Sequence, residues 1–416
     1  MGIRLNRDRL VETMKTQAEI GATPGGGLRR LALSDEDKEV RDWFTDQLEA
    51  EGLSVRIDEF GNMFGRREGA NPNAAPVLVG SHLDSQPYGG IYDGALGVVA
   101  ALEFIRALND ADVETERPVE IVNWTNEEGS RFQPAMQGSG VWAGAHDIDE
   151  EYAKTDEQGN TLEDELKRIG YKGTEPAEPR EEYDAYLELH IEQGPYLEEG
   201  EHQVGVVTGI VGFVWGAITF YGEANHSGST PMHYRSDALV GAADVITQVR
   251  RIPSMLGERT VGTVGFISAS PNSINIIPGE VTFTFGFRDP SDGIIDEAYD
   301  RVLYEAEMAA EREGLDWEFE ERMHVSSVEF SDRCVDAVES TAAALDYDYR
   351  KIFSGAGHDA SHTARVCDTG MVFAVSENGK SHSEAEYTSW DDCYVAANTL
   401  SNAAFDLAQS IDTTDS

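Results

Sequence analysis

Cysteine is scarce in this chain: there are 3 in 416 residues, Cys334, Cys367 and Cys393, and none lies in a C-x-x-C spacing. Three cannot all pair within the chain, so a secreted disulfide framework is disfavoured and a reducing, cytoplasmic interior is expected. Basic residues are few as well, 32 Lys plus Arg against 77 Asp plus Glu, for a formal charge of -45. A charge of that sign repels nucleic acid and anionic membranes, so neither is expected as a partner. No apolar run is long enough to span a bilayer, and the stretch from Met1 to Asn6 lacks an apolar signal core. What the chain does have is 40% hydrophobic residues, enough for a sizeable core, over a length that suits two domains. The acid excess reads as solvated surface in a high-salt, halophilic medium, where concentrated ions screen its self-repulsion.

Residues 7–20 and 35–51 pattern as amphipathic helices around the turn Gly25-Gly26-Gly27. Residues 76–80 form a short apolar run suited to a buried strand. A helix follows at 94–108, with Leu96, Val99, Leu102 and Ile105 as its stripe, then a strand at 119–124. Later strands fall at 185–189 and 371–375. This alternation is the grammar of an α/β domain with a strongly parallel sheet. The middle of the chain differs: strand 213–222, helix 236–251 capped by Ser236, strands 260–269 and 280–288, helix 296–314 and strand 315–322. In the third of these strands Val281, Phe283, Phe285 and Phe287 alternate with more polar or small residues, a half-buried pattern. The order β-α-β-β-α-β predicts a ferredoxin-like α+β domain. The expected organisation is therefore a discontinuous α/β domain, 1–212 and 326–416, interrupted by an inserted domain, 213–325. Residues 412–416 read as a polar tail.

Chemistry-bearing residues gather where predicted strands end: His82 and Asp84 in Gly80-Ser81-His82-Leu83-Asp84-Ser85, then Asp93-Gly94, Glu127 and Glu128 in Asn126-Glu127-Glu128-Gly129, His190 in Glu188-Leu189-His190, and His382 in Ser381-His382. Open α/β sheets bind ligands at the carboxyl ends of their strands. A lone histidine is usually structural, but four such clusters resist that account, because buried carboxylates are costly unless paired or coordinated. The assignment that uses them best is two divalent cations bridged by Asp93. One takes His82, Asp93 and His190; the other takes Asp93, Glu128 and His382. Imidazole plus carboxylate suits Zn²⁺ or Mn²⁺, with Co²⁺ and Ni²⁺ also compatible. The Asp84 carboxylate is placed to accept the other N–H of His82 and fix its tautomer. Glu127, next to a ligand, reads as the general base that takes a proton from water and passes it to a departing amine, or alternatively as a carboxylate behind the ligands. In the inserted domain, the segment from Gly222 to Met232 is too small and polar for core. It is either a turn with a helix cap or a loop presenting His226 to a developing oxyanion. Asn275 and Arg288 are polar groups beside apolar strands; Arg288 either grips a substrate carboxylate or pairs with an acidic neighbour.

These segments, together with Tyr92-Asp93-Gly94-Ala95-Leu96-Gly97, Ser130-Arg131-Phe132, Ile191-Glu192-Gln193-Gly194-Pro195 and Ser354-Gly355-Ala356-Gly357-His358-Asp359-Ala360, resemble the M20-type metallohydrolases over nearly the whole chain. Within them the chain is similar to the amidase branch of N-carbamoyl-L-amino-acid hydrolases, β-ureidopropionases and allantoate amidohydrolases, which carries a histidine at the His190 position. The resemblance implies a zinc-peptidase-type catalytic domain with a mixed sheet, two metals on the ligands above, and Glu127 as base. It also implies a homodimer through the inserted lid domain, with His226 reaching the partner subunit's active site. Gln193, Asn275 and Arg288 would then bind substrate, Arg288 holding its carboxylate. Two departures fall on the His382 loop, where the family commonly has proline: here Val375 and Glu384.

The expected activity is metal-dependent hydrolysis of a linear C–N bond in a small ureido acid, foremost an N-carbamoyl-L-amino acid. Allantoate is the nearest rival substrate. A peptidase or deacylase of the wider family and a non-catalytic metal-binding scaffold are the others, the last disfavoured because a structural site needs no spare Glu127. From the charge alone, the melting temperature is expected to fall when salt is removed; thermal unfolding followed from molar to millimolar KCl or NaCl checks it, and a constant value refutes it.

Overall fold

The computed structural model describes residues 2–410, and the polar tail expected at 412–416 lies outside them. The chain splits into two compact units, residues 1–208 with 330–416, and residues 209–329.

The larger unit is built on a mixed sheet whose centre is parallel. Val77–His82 pairs parallel with Val119–Trp124 on one side and with Ala185–Ile191 on the other. Asp368–Ala374 pairs parallel with Ala185–Ile191. Every residue of the Val77–His82, Val119–Trp124 and Ala185–Ile191 strands is buried, so the polar residues among them need partners: Glu120 pairs with Arg56 and Arg66, and Glu188 accepts from Ser81. Antiparallel strands flank this centre: Met63–Arg67 beside Val119–Trp124, and Val204–Ile210 beside Asp368–Ala374.

The Ala95–Asp110 helix departs from the amphipathic stripe expected of it. All its residues from Ala95 to Leu108 are buried, including Glu103 and Arg106. Glu103 is paired with Arg9, and Arg106 with Glu51, Thr13 and Gln47, so the buried charges are satisfied. Gly97 lets this helix lie directly on the sheet, because a Cβ there would meet the carbonyl of Leu189. The Arg7–Ala18 and Trp390–Gln409 helices pack on the same helix, closing a layer over one face of the sheet.

The smaller unit is a four-stranded antiparallel sheet in the spatial order Asp316–Val325, Gly212–Tyr221, Glu280–Asp289, Val261–Ser270. With the helices Ala238–Leu256 and Asp292–Glu313 between strands, chain order and strand order are those of a ferredoxin-like sandwich. Val281, Phe283, Phe285 and Phe287 lie in its core with Phe220, Val245 and Val302. The first helix is capped by Asp237, not Ser236: the Asp237 side chain accepts from Leu239 and Val240 N–H, and a carboxylate at that end also meets the helix dipole. Among the described residues, no helix is long and apolar enough to cross a membrane.

Candidate metal centre

Parallel pairing brings the carboxyl ends of Val119–Trp124, Val77–His82, Ala185–Ile191 and Asp368–Ala374 to one edge of the sheet. His82 is the last residue of its strand, and His190 lies inside its strand instead of just past the end. Asn126, Glu127 and Glu128 follow Val119–Trp124, and His382 sits on the loop after Asp368–Ala374. Asp93 enters from the turn before the Ala95–Asp110 helix. Gly94 there has φ +62°, and a Cβ on it would run into the His82 ring, so glycine serves both the turn and the close approach.

All five expected ligands come together. One group is His82, Asp93 and His190, the other Asp93, Glu128 and His382, and within each the candidate ligand atoms lie within 4.8 Å of one another. Asp93 divides between them. Its Oδ1 lies 2.9 Å from His190 Nε2 and 3.6 Å from His82 Nε2; its Oδ2 lies 3.5 Å from His382 Nε2. Glu128 Oε2 is 3.4 Å from His382 Nε2. The donor chemistry fits divalent cations by two further observations. Nδ1 of His82 is 3.0 Å from the Asp84 carbonyl and Nδ1 of His190 is 3.0 Å from the Ile191 carbonyl, which leaves both Nε2 atoms turned toward Asp93. His82 Nε2 is buried and has no hydrogen-bond partner, an orphaned atom that a cation would satisfy.

Asp84 works differently from expectation. Its carbonyl holds His82, while its carboxylate Oδ1 stands 3.8 Å from that ring. The carboxylate instead accepts Glu127 N–H and Glu128 N–H, each at 3.2 Å, and so fixes the loop carrying both glutamates. Gln86 braces Glu128 from the other side, through its backbone N–H at 3.1 Å and its amide at 2.6 Å. Glu127 Oε2 lies 3.5 Å from His82 Nε2.

The electrostatics follow from burial. Loss of water raises Glu127 well above the usual carboxylate range; His82 opposes this, and Asp359, Glu128 and Asp93 add to it. Glu128 is raised well above that range by burial and by Asp93. Burial also acts against the Asp93 anion, yet His190 and His82 outweigh it and hold Asp93 well below its ordinary value. Burial lowers His82, but Glu127 and Asp93 carry it well above the usual histidine range. Burial thus works toward the protonated form of Glu127, while the histidines favour the Asp93 anion.

Gln193 is drawn into the same centre: its Nε2 donates to Asp93 Oδ2 at 2.9 Å and contacts Ser381 Oγ at 3.1 Å. Asn126, Gln193 and His382 all have positive φ, +55°, +57° and +54°, a costly conformation for non-glycine residues. Two neighbours escaped the sequence reading. The His358 ring lies 4.3 Å from that of His190, buried, with Nδ1 unpartnered. The Glu188 carboxylate joins Ser81 Oγ to Ala360 N–H beneath the ligands. The run Gly357-His358-Asp359 was the available signal.

In the inserted unit His226 and Asn275 come together. Asn225–His226 pairs with Ile276–Ile277, and Ser227 N–H donates to the Asn275 carbonyl at 3.0 Å. His226 Nδ1 accepts Gly228 N–H at 3.0 Å and Ser229 N–H at 3.1 Å, so the ring proton sits on the exposed Nε2. Arg235 ties the loop by donating to the Ser227 and Thr230 carbonyls. Arg288 is elsewhere in that unit, half-buried, its guanidinium 5.1 Å from the Phe213 ring. His226 and Asn275 flank the Glu280 end of the sheet, and eight strand positions separate Glu280 from Arg288, a span of roughly 27 Å at about 3.4 Å per residue.

The model for peptidase family M20/M25/M40 matches residues 78–406. An N-carbamoyl-L-amino-acid amidohydrolase of Rhizobium meliloti is 41% identical, over 98% of each chain. The allantoate amidohydrolase of Escherichia coli is 33% identical, over 97% of this chain and 98% of its own. A crystal structure of an amidase of the hydantoinase/carbamoylase family from Burkholderia multivorans superposes with a TM-score of 0.94 at 43% identity, covering 98% of this chain and 99% of its own.

The double grip of the Asp84 carboxylate on Glu127 and Glu128 generates a prediction. Asp84→Asn keeps one acceptor oxygen and turns an NH₂ toward the other N–H, so affinity for divalent cation should fall about 10–100-fold with far-UV circular dichroism unchanged. Titration of Mn²⁺ or Zn²⁺ into the metal-stripped protein measures it.

Proposed function

The chain belongs to peptidase family M20/M25/M40, and on that premise we propose that it hydrolyses the linear ureido C–N bond of N-carbamoyl-L-amino acids to amino acid, carbon dioxide and ammonia. The observation that carries the reading is the pair of three-residue groups sharing Asp93, with a spare buried carboxylate, Glu127, beside them. His82, Asp93 and His190 would hold one divalent cation, and Asp93, Glu128 and His382 a second. Bound there, such cations supply Lewis acidity toward a carbonyl oxygen and toward water.

The chain's own residues account for the proton traffic and the orientation. The Glu127 carboxylate accepts a proton from water and returns it to the departing amine nitrogen. Asp84, through two backbone N–H groups, keeps Glu127 aimed while it does so. His226 Nε2–H is a donor held in place by the Gly228 and Ser229 amides and suits the oxygen that gains negative charge. Arg288 takes the substrate carboxylate.

The spacing inside the inserted unit bears on assembly. A ureido acid is only a few bonds long and cannot touch both Arg288 and the His226–Asn275 pair of one sheet. If all three serve one substrate, they come from two copies, so the reading includes a homodimer whose partner supplies His226 and Asn275. Exposed Val261, Phe266 and Ile267 on the edge strand Val261–Ser270 offer apolar surface for that pairing. The compartment is taken to be the cytoplasm.

Ammonia release from a panel of N-carbamoyl-L-amino acids and from allantoate, at high salt with Mn²⁺ or Zn²⁺, tests the reading; faster turnover of allantoate assigns the rival substrate. Glu127→Gln should lower kcat by roughly 100- to 10,000-fold while cation binding persists, and full activity in that variant would remove the assigned base. Mixing inactive His226→Ala and Arg288→Ala proteins should restore activity, since one site of each mixed dimer is then intact; mixing without recovery would refute sharing.

A further inference from the structure

Glu386 is fully engaged at the rim of the centre. It is 6% exposed. Its Oε1 accepts the backbone N–H of Tyr92 at 3.3 Å and of Asp93 at 3.2 Å. Its Oε2 lies 3.0 Å from Ser381 Oγ, and the same hydroxyl lies 3.0 Å from Asp93 Oδ2. Gly90 makes room for it, because a Cβ at that position would run into the carboxylate. One side chain thus touches the backbone of the shared ligand and, through a single hydroxyl, both that ligand's carboxylate and the residue before His382.

The two ligand groups depend on such a clamp unequally. His82 and His190 are on buried central strands whose backbone hydrogen bonds already hold them. His382 is on a loop, its side chain 51% exposed and its φ +54°. Within that loop the backbone bonds are Gly379 N–H to Ser376 O, Lys380 N–H to Glu377 O, Glu377 N–H to Tyr387 O and Glu386 N–H to Ser383 O, none of which reaches Asp93. The link between the His382 loop and the Asp93 turn therefore runs through side chains.

We propose that Glu386 is a positioning residue that clamps the Asp93 turn to the His382 loop and so sets the affinity of the Asp93–Glu128–His382 group for its cation. This rests on the two-cation reading. Mn²⁺ or Co²⁺ titrated calorimetrically into the metal-stripped full-length protein tests it independently of turnover. Glu386→Ala should weaken one of two equivalents by about 10–100-fold, the range found when groups behind metal ligands are removed, and leave the other near the parent value. Glu386→Gln keeps a carbonyl for the Tyr92 and Asp93 amides and an NH₂ for Ser381, so it should restore binding. Ser381→Ala, which cuts only the bridge, should weaken the same equivalent and decides the matter should the alanine variant fail to fold. Unchanged binding in Glu386→Ala or in Ser381→Ala, or equal weakening of both equivalents, overturns the proposal. A parent protein that binds no cation overturns the two-cation reading instead.

Discussion

The centre depends on one carboxylate. Asp93 presents Oδ1 to His82 and His190 and Oδ2 to His382, and its backbone and side chain are held by Glu386, Ser381 and Gln193. Two cations at close range repel each other strongly, and a shared anion between them offsets much of that repulsion. On the proposed two-cation reading, the surroundings serve this need. His82 and His190 sit on buried central strands, glycine stands at position 94 so that the His82 ring can approach, and Glu127 and Glu128, whose burial disfavours ionisation, stand beside His82 and His382. Without a cation these acids and the orphaned His82 Nε2 are costly to bury; with one they are its complement.

Much of this was legible before any coordinates. His82, Glu127, Glu128 and His190 lie at or just past the ends of short, largely apolar segments, a local signal. The inserted unit announced itself through alternation at Val281, Phe283, Phe285 and Phe287 and through its element order. What escaped was long-range or backbone-mediated. The spacing of Asp84 from His82 suggests a side-chain contact, yet the carbonyl makes it, since a residue two positions on can turn either group toward the ring. Glu386 meets Tyr92 and Asp93 across nearly three hundred residues, a separation on which no local pattern bears. The Ala95–Asp110 helix misled in a simpler way: a helix roofed by two others on a sheet has no wet face, so its stripe of large residues understates its burial.

The inserted unit divides its labour by distance. His226 and Asn275 lie on connections at one end of the sheet and Arg288 at the other, which on the proposed dimer reading gives each copy donor groups for two different sites. Side chains on strands and on a loop pinned by Arg235 are better kept in position than side chains on free loops, which suits groups that must meet charge developing on a small substrate.

The left-handed backbone at Asn126, Gln193 and His382 has an evolutionary corollary. Glycine would relax each position, yet it would delete a candidate ligand from His382 and an amide from Gln193. On the proposed reading, at Gln193 and His382 selection for a sturdier fold and selection for a working centre pull in opposite directions. Sequence drift that hardens this protein against heat or low salt must therefore accumulate elsewhere, on the acidic exterior and in the helical layer, leaving the strained rim as it is.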